Sequence, residues 1–75
     1  MSLALDGWVG RKVRLRRSLM SRSGFVHLAG TELRVVSHVH GRFTLEDPAV
    51  ERGSWSYEKV LLRQVWPSDV ARVGS

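Results

Sequence analysis

Apolar and polar residues alternate over several segments of the chain, and this period of two is typical of half-buried β-strands. In residues 11–17, Val13 and Leu15 fall on one side. The residues that alternate with them are basic: Lys12, Arg14 and Arg16. We therefore predict a first strand whose apolar side faces the core and whose basic side faces solvent.

Further strands follow, separated by residues that favour turns. A loop is expected over residues 18–24, which hold three serines and a glycine, and a tight turn over 29–31. One helical turn is expected over 66–70, because proline is tolerated at the start of a helix. The strands predicted after the first cover residues 25–28, 32–39, 42–46 and 71–73.

Residues 57–65 fit two patterns. Tyr57, Leu61 and Val65 have the spacing of a helix stripe, whereas Val60 and Leu62 fit a strand. No capping box supports a helix. We predict a strand, with a helix as the alternative, because the neighbouring segments are strands and a lone helix of this length is marginal.

The hairpin that turns at His40 and Gly41 allows two pairing registers, and opposed residues share a face of the sheet. A two-residue loop opposes His38 to Phe43 and points Arg34 toward the core. A three-residue loop, or one bulge, aligns Val39 with Phe43 instead.

The second register buries three more aliphatic side chains, each worth about 1.5–3 kcal/mol, so we predict that register although it leaves Val36 exposed. The core predicted in this way consists of Val13, Leu15, Val26, Leu28, Leu33, Val35, Val39, Phe43, Leu45, Val60, Leu62 and Val70.

Three segments resemble the SH3-like barrel superfamily: Val13-Arg14-Leu15 before a long loop, the turn Ala29-Gly30-Thr31 before a strand, and Val65-Trp66-Pro67-Ser68-Asp69-Val70. The resemblance implies an all-β fold, a small SH3-like barrel of about five strands with one helical turn before the last strand. Members of the superfamily include RNA-binding ribosomal modules, docking subunits of electron-transfer complexes and peptide-binding SH3 domains. The resemblance implies binding rather than catalysis.

A chain of 75 residues can bury only one core, so we expect a single domain over residues 1–75 with loose termini at 1–9 and 74–75. The absence of cysteine excludes disulfides, cysteine-based zinc sites and thiol catalysis. The sequence has no recognisable secretory leader and no apolar run long enough to span a membrane. We expect a cytoplasmic protein with no membrane partner.

Catalytic and metal-binding motifs are weak. His27, His38 and His40 lack an acidic cluster beside them, so we expect no metal site, and no motif indicates a cofactor. Residues 53–57 lack the second glycine of a nucleophile elbow. Type II dihydrofolate reductases, enzymes built from barrels of this size, use a Val-Gln-Ile-Tyr stretch, and the nearest segment here, Val60-Leu61-Leu62-Arg63, lacks the glutamine and the tyrosine. We expect no enzymatic activity.

Charge carries the clearest functional signal. The net charge is +5, but residues 1–42 alone hold eight basic and two acidic residues. Such asymmetry indicates an anionic partner, or simply a solvated face. The predicted binding residues are Arg11, Lys12, Arg14, Arg16, Arg17 and Arg22.

Two functions compete for this basic stretch. The first is binding to the backbone of RNA or DNA, and the alternative is docking onto an acidic protein. Trp8 and Trp55 are candidate aromatic contacts, whereas Trp66 is expected to pack on the helical turn. Because the stretch 11–22 contains no aromatic residue, it favours backbone contacts or protein docking over the stacking of bases. Its partner is thus nucleic acid or an acidic protein.

Replacing Leu15 with Ala tests the predicted first strand. The substitution should lower the free energy of unfolding by about 2–5 kcal/mol, a large share of the stability of a small domain. Chemical denaturation measures this loss. An unchanged denaturation midpoint would show that Leu15 is not a core residue.

Overall fold

The computed structural model describes residues 7–73, and these residues contain mainly short antiparallel strands. The strands are β1 (Lys12–Leu15), β2 (Leu19–Met20), β3 (Val26–His27), β4 (Glu32–Val39), β5 (Arg42–Glu46), β6 (Leu62–Val65) and β7 (Val70–Arg72). One helical turn, α1 (Tyr57–Val60), precedes β6, and a 3₁₀ turn (Pro67–Asp69) precedes β7. Neither helical segment in this range is long and apolar enough to cross a membrane.

The strands form two sheets. Five of them pair in the antiparallel order β6-β5-β4-β1-β7, and β2 and β3 form a separate two-stranded ribbon. The core lies on one face of the larger sheet and consists of Val13, Leu15, Leu33, Val35, Phe43, Leu45, Leu62, Val65 and Val70. The predicted all-β class is confirmed, as are β1, β4, β5 and the single helical turn before the last strand.

The N-terminal end contributes to this core. Of the predicted loose termini, residues 1–6 and 74–75 lie outside the described residues. Trp8 lies in the turn at the start of the described residues, and its ring packs against Phe43 with the ring centroids 5.4 Å apart. The amide of Gly10 donates to the carbonyl of Val35 at 2.8 Å, which fixes this turn to β4.

The β4–β5 hairpin has the two-residue turn that the sequence analysis rejected. His38 pairs with Phe43, and a bulge at Val36 then brings Val35 opposite Leu45. The bulge keeps four of the predicted inner residues buried: Leu33, Val35, Phe43 and Leu45. It lies on the far side of Ser37 from the turn, so Val39 still points outward. Val39 is 56% exposed, so its placement in the core was wrong. Val36, expected to be exposed, is half-buried.

The ribbon also corrects the predicted core. β2 lies inside the expected loop 18–24, and Val26 and Leu28, predicted to be buried, are 51% and 66% exposed. His27 takes the inward position instead, where its Nε2–H donates to the carbonyl of Val60 at 2.7 Å. A second polar contact, from the Ser21 hydroxyl to the carbonyl of Lys59 at 2.6 Å, attaches the ribbon to α1.

Residues 57–65 combine both patterns that the sequence allowed. The strand prediction is right for β6 and wrong for α1. Leu61 and Val65, absent from the predicted core, are buried together with Val60 and Leu62. The short helical turn moves the chain from the loop after β5 into the edge of the sheet, and this allows consecutive apolar residues to be buried.

Glu46, the last residue of β5, is a buried carboxylate with 2% exposure. Its oxygens accept two hydrogen bonds from Arg52 at 2.8 Å, one from the Tyr57 hydroxyl at 2.7 Å and one from Arg34 at 3.3 Å. The bonds from Arg52 hold the pKa of Glu46 at about 2 although burial opposes this. Burial and the bond to Glu46 raise the pKa of Tyr57. The cluster ties both ends of the 47–56 loop to the sheet.

Glu46→Gln should lower the free energy of unfolding near pH 7 by about 1–3 kcal/mol, because an amide loses the charge-assisted bonds from Arg52. The folded pKa of about 2 lies below the unfolded value of about 4.3. The carboxylate therefore stabilises the fold fully above about pH 5, and this stabilisation is lost as the pH falls toward 2.

Urea denaturation at a series of pH values measures the effect, and the variant should lose less stability than the parent over that window. Glu51→Gln is the matched control, because Glu51 is exposed and forms no ion pair within residues 7–73. Equal pH dependence of the parent and Glu46→Gln would contradict the assigned role of Glu46.

Candidate nucleic-acid interface

The structure divides the predicted basic residues into two groups. In the first group, the guanidinium already has a hydrogen-bond acceptor within the protein. Arg14 forms an ion pair with Glu32 at 3.2 Å, and Arg17 forms one with Asp69 at 3.0 Å, which raises the pKa of Arg17. Arg16 donates to the carbonyl of Val70 at 3.2 Å. Arg16 and Arg17 attach the segment after β1 to residues 69–70, and Arg14 links β1 to β4. The charges of Arg14 and Arg17 are balanced by carboxylates.

The second group consists of Arg11, Lys12 and Arg22, whose side chains have neither an acidic partner nor another hydrogen-bond acceptor within residues 7–73. Lys12 lies directly opposite Arg34 in the β1–β4 register. Like charges in that position are destabilising. Arg34 relieves part of this repulsion through its contact with Glu46. Arg22 lies away from β1, in the turn of the ribbon, and the structure does not bring it together with Arg11 and Lys12.

Arg22 instead lines an open cleft of about 750 Å³. Three parts of the fold form its walls: the turn of the β2–β3 ribbon, the tip of the β4–β5 hairpin, and the segment from α1 into β6. Its lining residues are Arg22, Ser23, Val39, His40, Arg42, Thr44, Glu58, Leu61, Arg63 and Gln64. We call this the basic cleft.

Three guanidinium groups and one carboxylate line the basic cleft. Arg63 contacts that carboxylate, on Glu58, at 3.0 Å, and both side chains are well exposed. Arg42 donates to the neutral amide oxygen of Gln64 at 3.3 Å. Arg22 contributes a third cation from the opposite wall. The cleft therefore carries an excess of positive charge in a concave site, where several cations can contact one anion.

A bulge in β6 shapes one wall of the cleft. Phe43 pairs with Val65 and Leu45 with Leu62, so two residues of β6 oppose one residue of β5. The extra residue lets Arg63 and Gln64 both face outward between two buried side chains. Gln64 accordingly has a φ of 59°, in the left-handed region that favours glycine. Bulges of this kind redirect side chains next to binding sites.

The candidate aromatic contacts lie elsewhere, and a different tryptophan adjoins the cleft. Trp8 packs on the core, and Trp55 is exposed beside the Lys59 ammonium. Trp66 is 51% exposed, and the guanidinium carbon of Arg42 lies 3.4 Å from its ring centroid. Arg42, Arg63 and Trp66 were not predicted to lie together, because only the β5–β6 pairing brings them close to one another.

The histidines do not form a metal site in the part of the chain that the structure describes. No group of three or more His, Asp or Glu residues within 7–73 is placed to hold a metal ion. His27 is buried in the ribbon, His40 occupies the hairpin turn, and the ring of His38 packs edge-on against Phe43. Only His40 lines the basic cleft.

Gln64→Gly tests whether the left-handed backbone conformation of residue 64 lowers the stability of the fold. Glycine adopts this φ without steric conflict, so the variant should be more stable than the parent by about 0.5–1 kcal/mol. Arg63→Gly is the control, since the φ of Arg63 is not in the left-handed region and glycine should destabilise that strand position. Thermal or urea denaturation measures both. A less stable Gln64→Gly variant would show that the side chain supports the fold.

Comparisons of the chain with protein-family models, with curated proteins and with solved structures found no match. The function therefore has to be inferred from the charges and geometry of the described residues.

Proposed function

We propose that the protein is a small binding module without enzymatic activity that binds the phosphate backbone of nucleic acids. The observation that carries the proposal is the convergence of Arg22, Arg42 and Arg63, from three separate segments, on one open cleft lined by a single carboxylate. Guanidinium groups donate several hydrogen bonds in a fixed plane and match the geometry of phosphate oxygens.

The fold is consistent with an SH3-like barrel, which is part of the proposal. A long connection follows β1, a tight turn at 29–31 precedes β4, and a 3₁₀ turn precedes β7. These are the features on which the resemblance rests. The first strand also lies between the last strand and β4, which brings the two ends of the described chain together.

The basic cleft is a better phosphate site than the predicted strand face. On β1, Arg14 is balanced by Glu32, and the neighbouring Arg17 is balanced by Asp69. A phosphate would have to compete with these carboxylates. In the cleft, Arg63 has a carboxylate partner in the exposed Glu58. Arg22 has no acidic competitor within residues 7–73, and Arg42 is held by a neutral amide. Arg11 and Lys12 remain as a secondary basic patch at the other end of β4.

Docking onto an acidic protein is the second candidate, and the ribbon favours it. Met20 and Val26 lie directly opposite each other and are both more than half exposed, and Leu28 extends this apolar strip. Exposed apolar side chains next to basic residues are typical of protein interfaces. This strip does not contact nucleic acid in the first proposal, so the two functions use different residues.

A pair of charge-matched double variants tests the proposal. Arg22→Gln with Arg63→Gln removes two cations from the basic cleft, and Arg11→Gln with Lys12→Gln removes two from the patch on β1. The cleft variant should weaken binding to all sequences alike, because phosphate contacts carry no base information. It should also reduce the slope of log affinity against log salt by about 1.4 on single strands or about 1.8 on duplex DNA.

Fluorescence anisotropy with labelled oligonucleotides at several salt concentrations gives both quantities. The β1 variant has the same net charge and should keep most of the parent affinity and slope. A greater loss in the β1 variant would move the site to β1. If the parent binds neither DNA nor RNA at about 50 mM salt, where phosphate contacts are strong, the nucleic-acid proposal is wrong and acidic protein partners should be sought.

A further inference from the structure

We propose that the basic cleft selects single-stranded nucleic acid, and that Trp66 and Arg42 together form a platform on which one unpaired base stacks. This inference rests on the proposed function and specifies its ligand. Arg42 lines the cleft and lies over the Trp66 ring. A base that enters the cleft can therefore stack on this guanidinium, with the indole ring as its support.

Two contacts fix the platform. The Arg42 guanidinium carbon lies 3.4 Å from the Trp66 ring centroid, which places it over the ring at van der Waals distance. One of its nitrogens also donates to the amide oxygen of Gln64 at 3.3 Å. An arginine that already contacts both Trp66 and Gln64 loses little rotamer freedom when a base stacks on it.

The position of the platform favours an unpaired base over a duplex. In a duplex the faces of the bases are covered by their neighbours, and only the edges and the backbone are accessible. A single strand can turn one base out, and proteins recognise such bases by stacking them on aromatic rings or guanidinium planes. Residues 11–22 contain no aromatic side chain and therefore did not predict the stacking of bases. The fold instead places Trp66 against Arg42, which lines the cleft.

The remaining cleft residues suit the backbone on either side of that base. Arg22 and Arg63 lie on different walls and provide cations for flanking phosphates. Ser23 and Thr44 add hydroxyl groups, and the Gln64 side chain faces the same space because of the β6 bulge. Stacking and phosphate contacts are thus contributed by different side chains, so substitutions can separate them.

Arg42→Lys is the decisive substitution, because lysine keeps the positive charge but lacks the planar group that stacks. Trp66→Leu removes the support of the platform from the other side, at a residue that is half exposed. Arg63→Lys is the matched control, since a phosphate contact needs charge more than a plane. Urea denaturation establishes that each variant is folded before binding is compared.

Binding is measured by anisotropy with an oligothymidine strand, a strand of equal length with abasic sites, and a duplex. The parent should bind the intact strand about 5- to 150-fold more tightly than the abasic one, as expected for one stacked base. Arg42→Lys and Trp66→Leu should lose this preference while retaining the salt dependence of the parent. Arg63→Lys should keep the preference.

The outcomes separate this inference from the proposed function. Equal binding of intact strand, abasic strand and duplex by the parent would overturn the platform and leave backbone binding in place. An unchanged preference in Arg42→Lys would also overturn it. Absence of binding to every nucleic acid, with binding to polyglutamate instead, would overturn the proposed function itself.

Discussion

The core depends on the register of the hairpin between β4 and β5. A two-residue turn with positive φ at His40 and Gly41 has the twist that suits a hairpin. Unbroken alternation from that turn would point Arg34 inward, and burying a charge costs far more than a local irregularity in the sheet. The bulge at Val36 resolves this conflict. It keeps Leu33 facing inward, and β1 then pairs with β4 so that its apolar side joins the same core.

Alternation predicted the long strands because each has enough positions to fix which side faces inward. It failed where strands are two residues long. In the ribbon, the pattern favoured Val26 and Leu28 as core residues, but a hydrogen bond from His27 to Val60, 33 residues away, decides the orientation. Residues 57–65 were ambiguous for a related reason, since the chain changes from helix to strand at Leu61 and each pattern describes only one part.

The excess of positive charge could be predicted from the sequence, but the position of the basic cleft in the fold could not. The sequence indicates basic residues on and around β1, but it does not show that Glu32 balances Arg14 and that Asp69 balances Arg17. Arg22, Arg42 and Arg63 are separated by about twenty residues each along the chain and meet only through the ribbon and the sheet. A bulge leaves no clear mark in the sequence, so the outward position of Gln64 could not be foreseen.

The bulge in β6 also changes the edge that the five-stranded sheet presents to other chains. β6 and β7 are the outer strands of the five-stranded sheet, and a straight outer strand offers unpaired amide and carbonyl groups to another chain. β7 has only three residues and ends at Arg72. β6 is interrupted by the left-handed Gln64, which breaks the regular spacing of its backbone groups. Both outer strands therefore offer few regularly spaced backbone groups to a further strand, and the residue that shapes the cleft also interrupts one edge of the sheet.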